Sequence, residues 1–456
     1  MKPRRIMGIE TEYGLLCAST SGGVPALDAE ETAQRLFAPL LARTRSTSAF
    51  LPNGARLYLD VGAHPEYATA ECDQLTDLLA NDRAGDMLYA QLAEETNAQI
   101  TGGRVHMFKN NVDSYGNSFG CHENYLVRRR RDFRERIDNL IPYFVTRQVL
   151  VGAGFLQVGP EGATYKISQR ADKMKDAVSA ATTRARPMIN TRDEPHGDAE
   201  LYRRLHVIVG DSNMSDSTCV LKVGATEALL DAVEDGLRLP DRTLADPVRA
   251  IRQVSEDLSG CAVVELASGK TIRAIDIQRE IHDLVRERFE SNGWMDLDPL
   301  RAYVFDLWQR ALDCLERGDE GAVATEIEWI AKRRLLVRLA ERLGTGLGDV
   351  RVQRLDLAWH DITAAGLRNK LEAGGGLKKL VSDEAITEAM GIPPQTTRAK
   401  LRGDFVAVAM DRRRDYAVDW MSIRLLDGAA RQVLLKDPFS PVNEQVEELM
   451  ELIDGE

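Results

Sequence analysis

Long apolar runs are missing from this sequence. None approaches the roughly 20 residues that a membrane-spanning helix needs, so the reading is of a protein that does not cross a bilayer. Cysteine is scarce, six in 456 residues. Cys17, Cys72, Cys121, Cys219, Cys261 and Cys314 form no CxxC pair and no cluster with histidine at zinc-site spacing, which excludes a disulfide scaffold and a structural zinc site and leaves reduced packing thiols. Positive charge is in deficit: 59 Lys plus Arg against 71 Asp plus Glu gives a net charge of −12. That excludes a broad surface for nucleic acid or anionic lipid, though a local basic groove remains possible inside it. No GxxxxGK[ST] loop occurs, and the two glycine clusters, 344–348 and 374–376, follow helical segments, where a phosphate loop needs a strand before it and a helix after it. If the protein uses ATP, metal ions and arginines must hold the phosphates.

What is present has the balance of a folded globular chain, 44% hydrophobic and 29% charged, and not that of a disordered one. The length suits one large domain with an appendage, or two to three ordinary domains. The opening Met1-Lys-Pro-Arg-Arg leads into a short mixed run, which is not a signal peptide; the expected location is the cytoplasm.

Short strand signals dominate the first two hundred residues: Arg5–Leu16, Arg56–Val61, Val105–Lys109, Glu123–Val127 and Leu205–Val209. Helical spacing appears between them, over Ala29–Ala42 and Leu75–Ala98. Interleaved strands and helices, several strands hairpin-like, predict an α+β domain on a large antiparallel sheet. From about Ala225 the pattern turns helical, over Asp246–Asp257, Ile275–Glu290, Leu300–Arg317 and Ala322–Leu343, with Gly344 ending the last. Residues 382–456 read as a small separate domain beside a large one spanning 1–381, with a Pro393-Pro394 break and a strand ending near Trp420.

Polar residues alternate in strands that should be half buried. In Arg5-Ile-Met-Gly-Ile-Glu-Thr-Glu-Tyr-Gly, Glu10 and Glu12 share one face with Gly8 and Gly14, because side chains alternate along a strand. Two carboxylates with room beside them suit a hard divalent cation such as Mg²⁺; an edge strand with its acidic face in water gives the same pattern. In Arg56-Leu-Tyr-Leu-Asp-Val, Arg56, Tyr58 and Asp60 share a face, offering a phosphate-pairing cation, a phenol and a carboxylate in a row. Glu66, Thr69 and Glu71 follow directly, and five acids in two short segments point to a metal–nucleotide site. His122 and Asn124 share one strand face, and Arg204 and His206 another. Histidines 64, 122 and 206 read as hydrogen-bonded partners, with no zinc spacing. Arg184, Arg186 and Arg192 string along a loop that suits phosphate oxygens or an acidic peptide, surface ion pairs being the alternative. The run Arg128–Arg131, with Arg134 and Arg136, is a solvated helix face or a dock for an acidic partner.

Several long strings closely resemble the Pup-ligase (proteasome accessory factor A) family: the Glu10–Glu12 segment, Asn53-Gly-Ala-Arg-Leu-Tyr-Leu-Asp-Val-Gly-Ala-His-Pro-Glu-Tyr-Ala-Thr-Ala-Glu-Cys, Phe108-Lys-Asn-Asn-Val-Asp-Ser, Asn190-Thr-Arg-Asp-Glu-Pro-His, Arg203-Arg-Leu-His-Val-Ile-Val-Gly-Asp-Ser-Asn-Met and Pro394-Gln-Thr-Thr-Arg-Ala-Lys-Leu-Arg-Gly. They are collinear and run to Asp437-Pro-Phe-Ser-Pro-Val-Asn. The resemblance implies a fold like glutamine synthetase and the carboxylate–amine ligases, a curved sheet cradling ATP with a small C-terminal domain. It implies that ATP phosphorylates the side-chain carboxylate of the C-terminal glutamate of Pup, a ubiquitin-like protein, and that a target lysine then attacks to leave an isopeptide bond, marking the target for the proteasome. By the same resemblance Glu10, Tyr58 and Glu66 are Mg²⁺ ligands, Arg56, Thr69 and Trp420 contact ATP, and Asp60 is the catalytic base. Glu12, Glu71, Arg184, Arg186, Arg192, Arg204 and His206 are further candidates for metal, phosphate or Pup. Nothing demands more than a monomer. A depupylase shares this fold and is the alternative reading. Leu59-Asp-Val-Gly-Ala-His-Pro-Glu-Tyr-Ala-Thr-Ala is ligase-like, and the segment between Glu12 and Asn53 has no room for the depupylase's long insert. Lys173, Lys175 and Thr363-Ala-Ala-Gly depart from the ligase pattern.

Overall fold

The computed structural model describes every residue except 1, 3, 45, 61–62, 114, 182–185, 427–430 and 455–456. Its largest element is an eight-stranded sheet with the strand order Asp176–Ser179, Pro187–Asn190, Tyr202–Val207, Cys121–Arg128, Met7–Glu12, His64–Ala68, Arg56–Asp60, Ser48–Phe50. Its pairings are antiparallel except that between Asp176–Ser179 and Pro187–Asn190. The α+β expectation is borne out.

The two faces of this sheet differ as the alternation dictates. Ile9, Tyr67, Leu57, Cys121, Leu205 and Val207 are buried on the face covered by helices, where the helix Asp216–Glu234 has every residue from Asp216 to Ala232 buried. Each fully buried aliphatic or aromatic side chain there contributes roughly 1.5–3 kcal/mol, which fixes the register, since a one-residue slip would carry the apolar set into water. The partner face carries Glu10, Glu12, Tyr58 and Glu66.

Two predicted elements are divided in the structure. Arg5–Leu16 is not one strand. Met7–Glu12 belongs to the large sheet, while Gly14–Ser19 pairs with Gly103–Phe108 in a separate ribbon. The break falls at Tyr13, whose N–H donates to Pro65 O at 2.9 Å and whose buried hydroxyl donates to Asp86 at 2.7 Å. Gly14 is required beside it, because a Cβ there would lie 2.9 Å from Asn110 Oδ1. Likewise Ala322–Leu343 is not one helix: its first two residues belong to a 3₁₀ turn, Glu320–Val323, and the α-helix proper spans Glu328–Leu343. The Glu328 N–H donates to Thr218 Oγ1 at 2.9 Å, and the helix ends at Gly344 in the left-handed region, φ 64°.

Near the C-terminus, the helices Ala399–Asp411 and Glu444–Asp454 and a three-stranded sheet, Tyr416–Val418, Ser422–Leu425 and Gln432–Leu434, enclose their own apolar cluster. Phe405, Ile423 and Val446 are its centre, each fully buried. Among the described residues no helix is long and apolar enough to cross a membrane.

Candidate active site

Cross-strand register assembles the polar face. Glu10 lies opposite His122 on one side and Ala68 on the other. Glu12 pairs with Glu66, which pairs in turn with Tyr58. His206 pairs with Asn124. Directly paired residues point to the same face, so five strands deliver carboxylates, a phenol and imidazoles to one patch.

Side-chain geometry joins them. Tyr58 donates its hydroxyl to Glu10 and also reaches Glu66, while His122 Nδ1 lies 3.0 Å from the other Glu10 oxygen. The His122 and His206 rings meet edge to face at 4.9 Å, and one ligand atom from each of Glu10, His122 and His206 falls within 4.8 Å of the others. Room for Glu12 comes from Gly120, where a Cβ would lie 2.3 Å from Glu12 Oε1 and 2.7 Å from His122 Nε2.

The electrostatics are strained without a cation. Burial and the charges of Glu10 and Glu12 push the Glu66 carboxyl up to about 9. Glu10 goes the other way: burial opposes its charge, but the bond and charge of His122 outweigh this and hold it well below the carboxylate range. Burial, then the two glutamates, keep the Tyr58 phenol protonated. Burial, then His122 and Arg204, lower the His206 imidazole to about 3, leaving it neutral. Its Nε2 is buried with no hydrogen-bond partner. A neutral imidazole with a free nitrogen beside an ionised carboxylate is a ligand set, so these residues fit a divalent cation.

The other predicted residues are distributed around this patch. Asp60 is exposed at the end of its strand and close enough to Glu66 to raise it. The Arg56 guanidinium lies 4.5 Å over the Tyr58 ring and donates to Ser48 Oγ at 2.8 Å. Thr69 Oγ1 accepts the Ile9 N–H at 3.0 Å. Thr69, Glu10, Asn124, Arg204 and Trp420 line one pocket, with Trp420 edge-on to Phe50 at 4.9 Å. Arg204 donates to Asn124 at 3.3 Å and to Glu194 at 3.1 Å.

Not every candidate joins the patch. The Glu71 carboxylate is buried between Arg398, 2.9 Å away, and Arg402. Arg192 pairs with Glu194 at 3.3 Å, Arg186 is exposed, and Arg184 lies outside the described residues. Part of the basic run is paired locally: Arg129 with Asp193 at 2.8 Å and Arg136 with Asp132 at 2.8 Å. Lys173 donates to Gly116 O at 2.8 Å.

From the sequence His122 reads only as a hydrogen-bonded partner; its place beside Glu10 comes from the pairing of their strands. Its signal was its shared face with Asn124; what was missing was the pairing of its strand with one more than a hundred residues away.

Clustered carboxylates, a free imidazole nitrogen and flanking arginines on one sheet face are the donors that a divalent cation and phosphate oxygens would meet. A family profile described as Pup-ligase protein matches residues 5–424. The Pup–protein ligase of Xylanimonas cellulosilytica is 52% identical over 455 residues, covering 98% of this chain and 99% of the relative. That of Sanguibacter keddieii is 50% identical over 456 residues, covering 99% and 100%. A crystal structure of the complex between Pup and its ligase PafA aligns with TM-score 0.92 at 40% identity, covering 99% of this chain and 92% of that one. A structure of PafA in complex with ADP aligns with TM-score 0.84 at 41% identity, covering 95% of both. The chain belongs to the Pup-ligase family.

Proposed function

We propose that this chain is an ATP-dependent ligase that joins the side-chain carboxylate of the C-terminal glutamate of Pup to lysines of target proteins. The observation that carries the reading is the convergence of Glu10, Tyr58, Glu66 and Asp60 on one sheet face, in a chain whose full-length relatives at about 50% identity are Pup–protein ligases. Those relatives also favour the ligase over the depupylase.

In the first step a Pup glutamate oxygen bonds to the γ-phosphorus of ATP as the β,γ P–O bond breaks, giving a glutamyl phosphate and ADP. In the second, a lysine amine nitrogen bonds to the acyl carbon, the C–O bond to phosphate breaks, and the amine proton passes to Asp60. An exposed carboxylate at a strand end beside the acidic patch suits that role, since a lysine ammonium must lose its charge before it can attack. Mg²⁺, when bound, screens phosphate charge; Glu10 and Glu66, with Tyr58 between them and His122 and His206 alongside, would hold it. The Arg56 guanidinium lies over the Tyr58 ring, where it would pair with phosphate oxygens, and Thr69 and Trp420 line the pocket for the nucleotide. Residues 382–456 act as a cap. Its separate apolar cluster and its ion pairs from Arg398 and Arg402 to Glu71 support that division, with 1–381 as the catalytic body. Cytoplasmic location, action as a monomer and a role in delivering pupylated proteins to the proteasome belong to the same reading.

Trapping the intermediate tests it. With ATP, Mg²⁺, Pup ending in glutamate and hydroxylamine, the enzyme should form a hydroxamate at that glutamate together with ADP. ADP release without hydroxamate, or neither product, would overturn the acyl-phosphate route.

A further inference from the structure

Buried arginines in this protein come with carboxylates. Arg5, Arg83, Arg147, Arg301 and Arg368 each have one within 3.0 Å, and Arg398 and Arg402 share Glu71. Arg170 breaks the pattern. It is 3% exposed, yet among the described residues it forms no ion pair. One guanidinium nitrogen donates to the backbone oxygen of Phe119, and its Nε is buried without any acceptor. A buried charge without a counter-charge costs several kcal/mol, so its retention calls for a partner that arrives with the substrate.

Its position says what that partner is. Phe119 precedes Gly120, the bare residue that gives room to Glu12 and His122, and the Glu12 N–H donates to Gly120 O at 3.1 Å. The guanidinium therefore sits beside the acidic patch, with Glu12 as a nearby charge acting on it. The support beneath it is rigid. Asp211 accepts the backbone N–H groups of Gln169 and Arg170, each at 3.0 Å, and the Ser168 hydroxyl at 2.9 Å. Asp211 thus fixes the backbone while leaving the guanidinium uncompensated, which is the preorganised arrangement that favours charge developing in a transition state.

We propose that Arg170 is a catalytic residue that binds the phosphoryl group in transit, pairing with its equatorial oxygens as the bond to the glutamate oxygen forms and the bond to ADP breaks. This assignment rests on the ligase reading above. It predicts an unusual pairing of effects. Arg170→Met should leave the thermal midpoint of the ligand-free protein unchanged or higher, because an unpaired buried charge is removed. ADP affinity should stay within about threefold. Hydroxamate formation should fall about 100-fold or more, and the extra thermal stabilisation that ADP with fluoroaluminate gives over ADP alone should vanish. Arg170→Lys, which keeps charge but loses the planar fork, should show the same losses in smaller measure.

A rate within threefold of wild type in both variants would overturn the proposal. So would a lowered midpoint in which lost rate merely tracks lost ADP binding, since that is the mark of a structural arginine. If the wild-type protein itself binds ADP but yields no hydroxamate, the ligase reading falls, and this assignment with it.

Discussion

Replacing Glu71 with glutamine removes the carboxylate that two buried arginines of the C-terminal segment, Arg398 and Arg402, share. Arg398 Nε is 2.9 Å and Arg402 Nη1 3.1 Å from the same Glu71 oxygen, and Arg402 also closes on the second oxygen. Burial raises the Glu71 carboxyl, but Arg402 and Arg398 outweigh it and hold it at about 2 against an ordinary 4.5. That difference amounts to about 3 kcal/mol, at the lower end of the roughly 3–5 kcal/mol expected when one partner of a buried pair is removed. The sign follows: a depressed carboxylate contributes its stability fully above the unfolded value of 4.5 and loses it as pH falls toward 2. Urea unfolding followed by tryptophan fluorescence should therefore show Glu71→Gln destabilised by about 3 kcal/mol at pH 7, with a shallower loss between pH 5 and about 2. Nucleotide affinity should fall too, because Arg402 lies 4.9 Å over the Trp420 ring and donates to its carbonyl at 3.3 Å. A variant within about 1 kcal/mol of wild type, with the wild-type acid profile, would refute the claim that these pairs clamp the C-terminal segment onto Glu71.

Asp60→Asn should lower conjugation by about 10²–10⁴-fold while ADP binding, measured by calorimetry, stays near wild type; a fully active variant would remove Asp60 from its role. Gly120→Ala should displace Glu12 and His122, whose atoms occupy the space its Cβ needs. Activity should drop more than about tenfold, with a loss of stability of about 1–3 kcal/mol, and wild-type kinetics would show that the crowding is not there. Glu66 binds a proton up to about 9 in the cation-free protein. A divalent cation must therefore release about one proton near pH 7.5, read as buffer-dependent heat in calorimetry. Glu66→Gln should abolish the release, and an equal release from the variant would contradict the pairing. The same group binds a proton in the folded state that the unfolded chain lacks between 4.5 and about 9, so without cation stability should fall as pH rises through that window.

The sheet face could be read locally because strand side chains alternate. Glu10 with Glu12, and Arg56 with Tyr58 and Asp60, needed only a period of two. The helices Leu75–Asn97 and Ala274–Ser291 lie within a residue of their predicted ranges for a similar reason. Cross-strand register was not readable, because no local pattern says that the His122 strand lies against Glu10 or that His206 follows beside it. Glu71 looked like its neighbours Glu66 and Thr69 until distant arginines claimed it. The basic run Arg128–Arg131 reads locally as a solvated helix face or a dock; no local pattern shows that Asp193, some sixty residues on, pairs with Arg129, or that Asp132 pairs with Arg130. Long-range charge pairing, more than secondary structure, separated the expected site from the observed one.

The central claim is that this face makes an isopeptide bond at the expense of ATP. Intact-mass spectrometry of a lysine-bearing target incubated with enzyme, ATP, Mg²⁺ and Pup ending in glutamate tests it most directly. The target should become heavier by one Pup less one water, with one ADP formed per bond. An unchanged target, with a pre-made conjugate instead cleaved back to its parts, would contradict it.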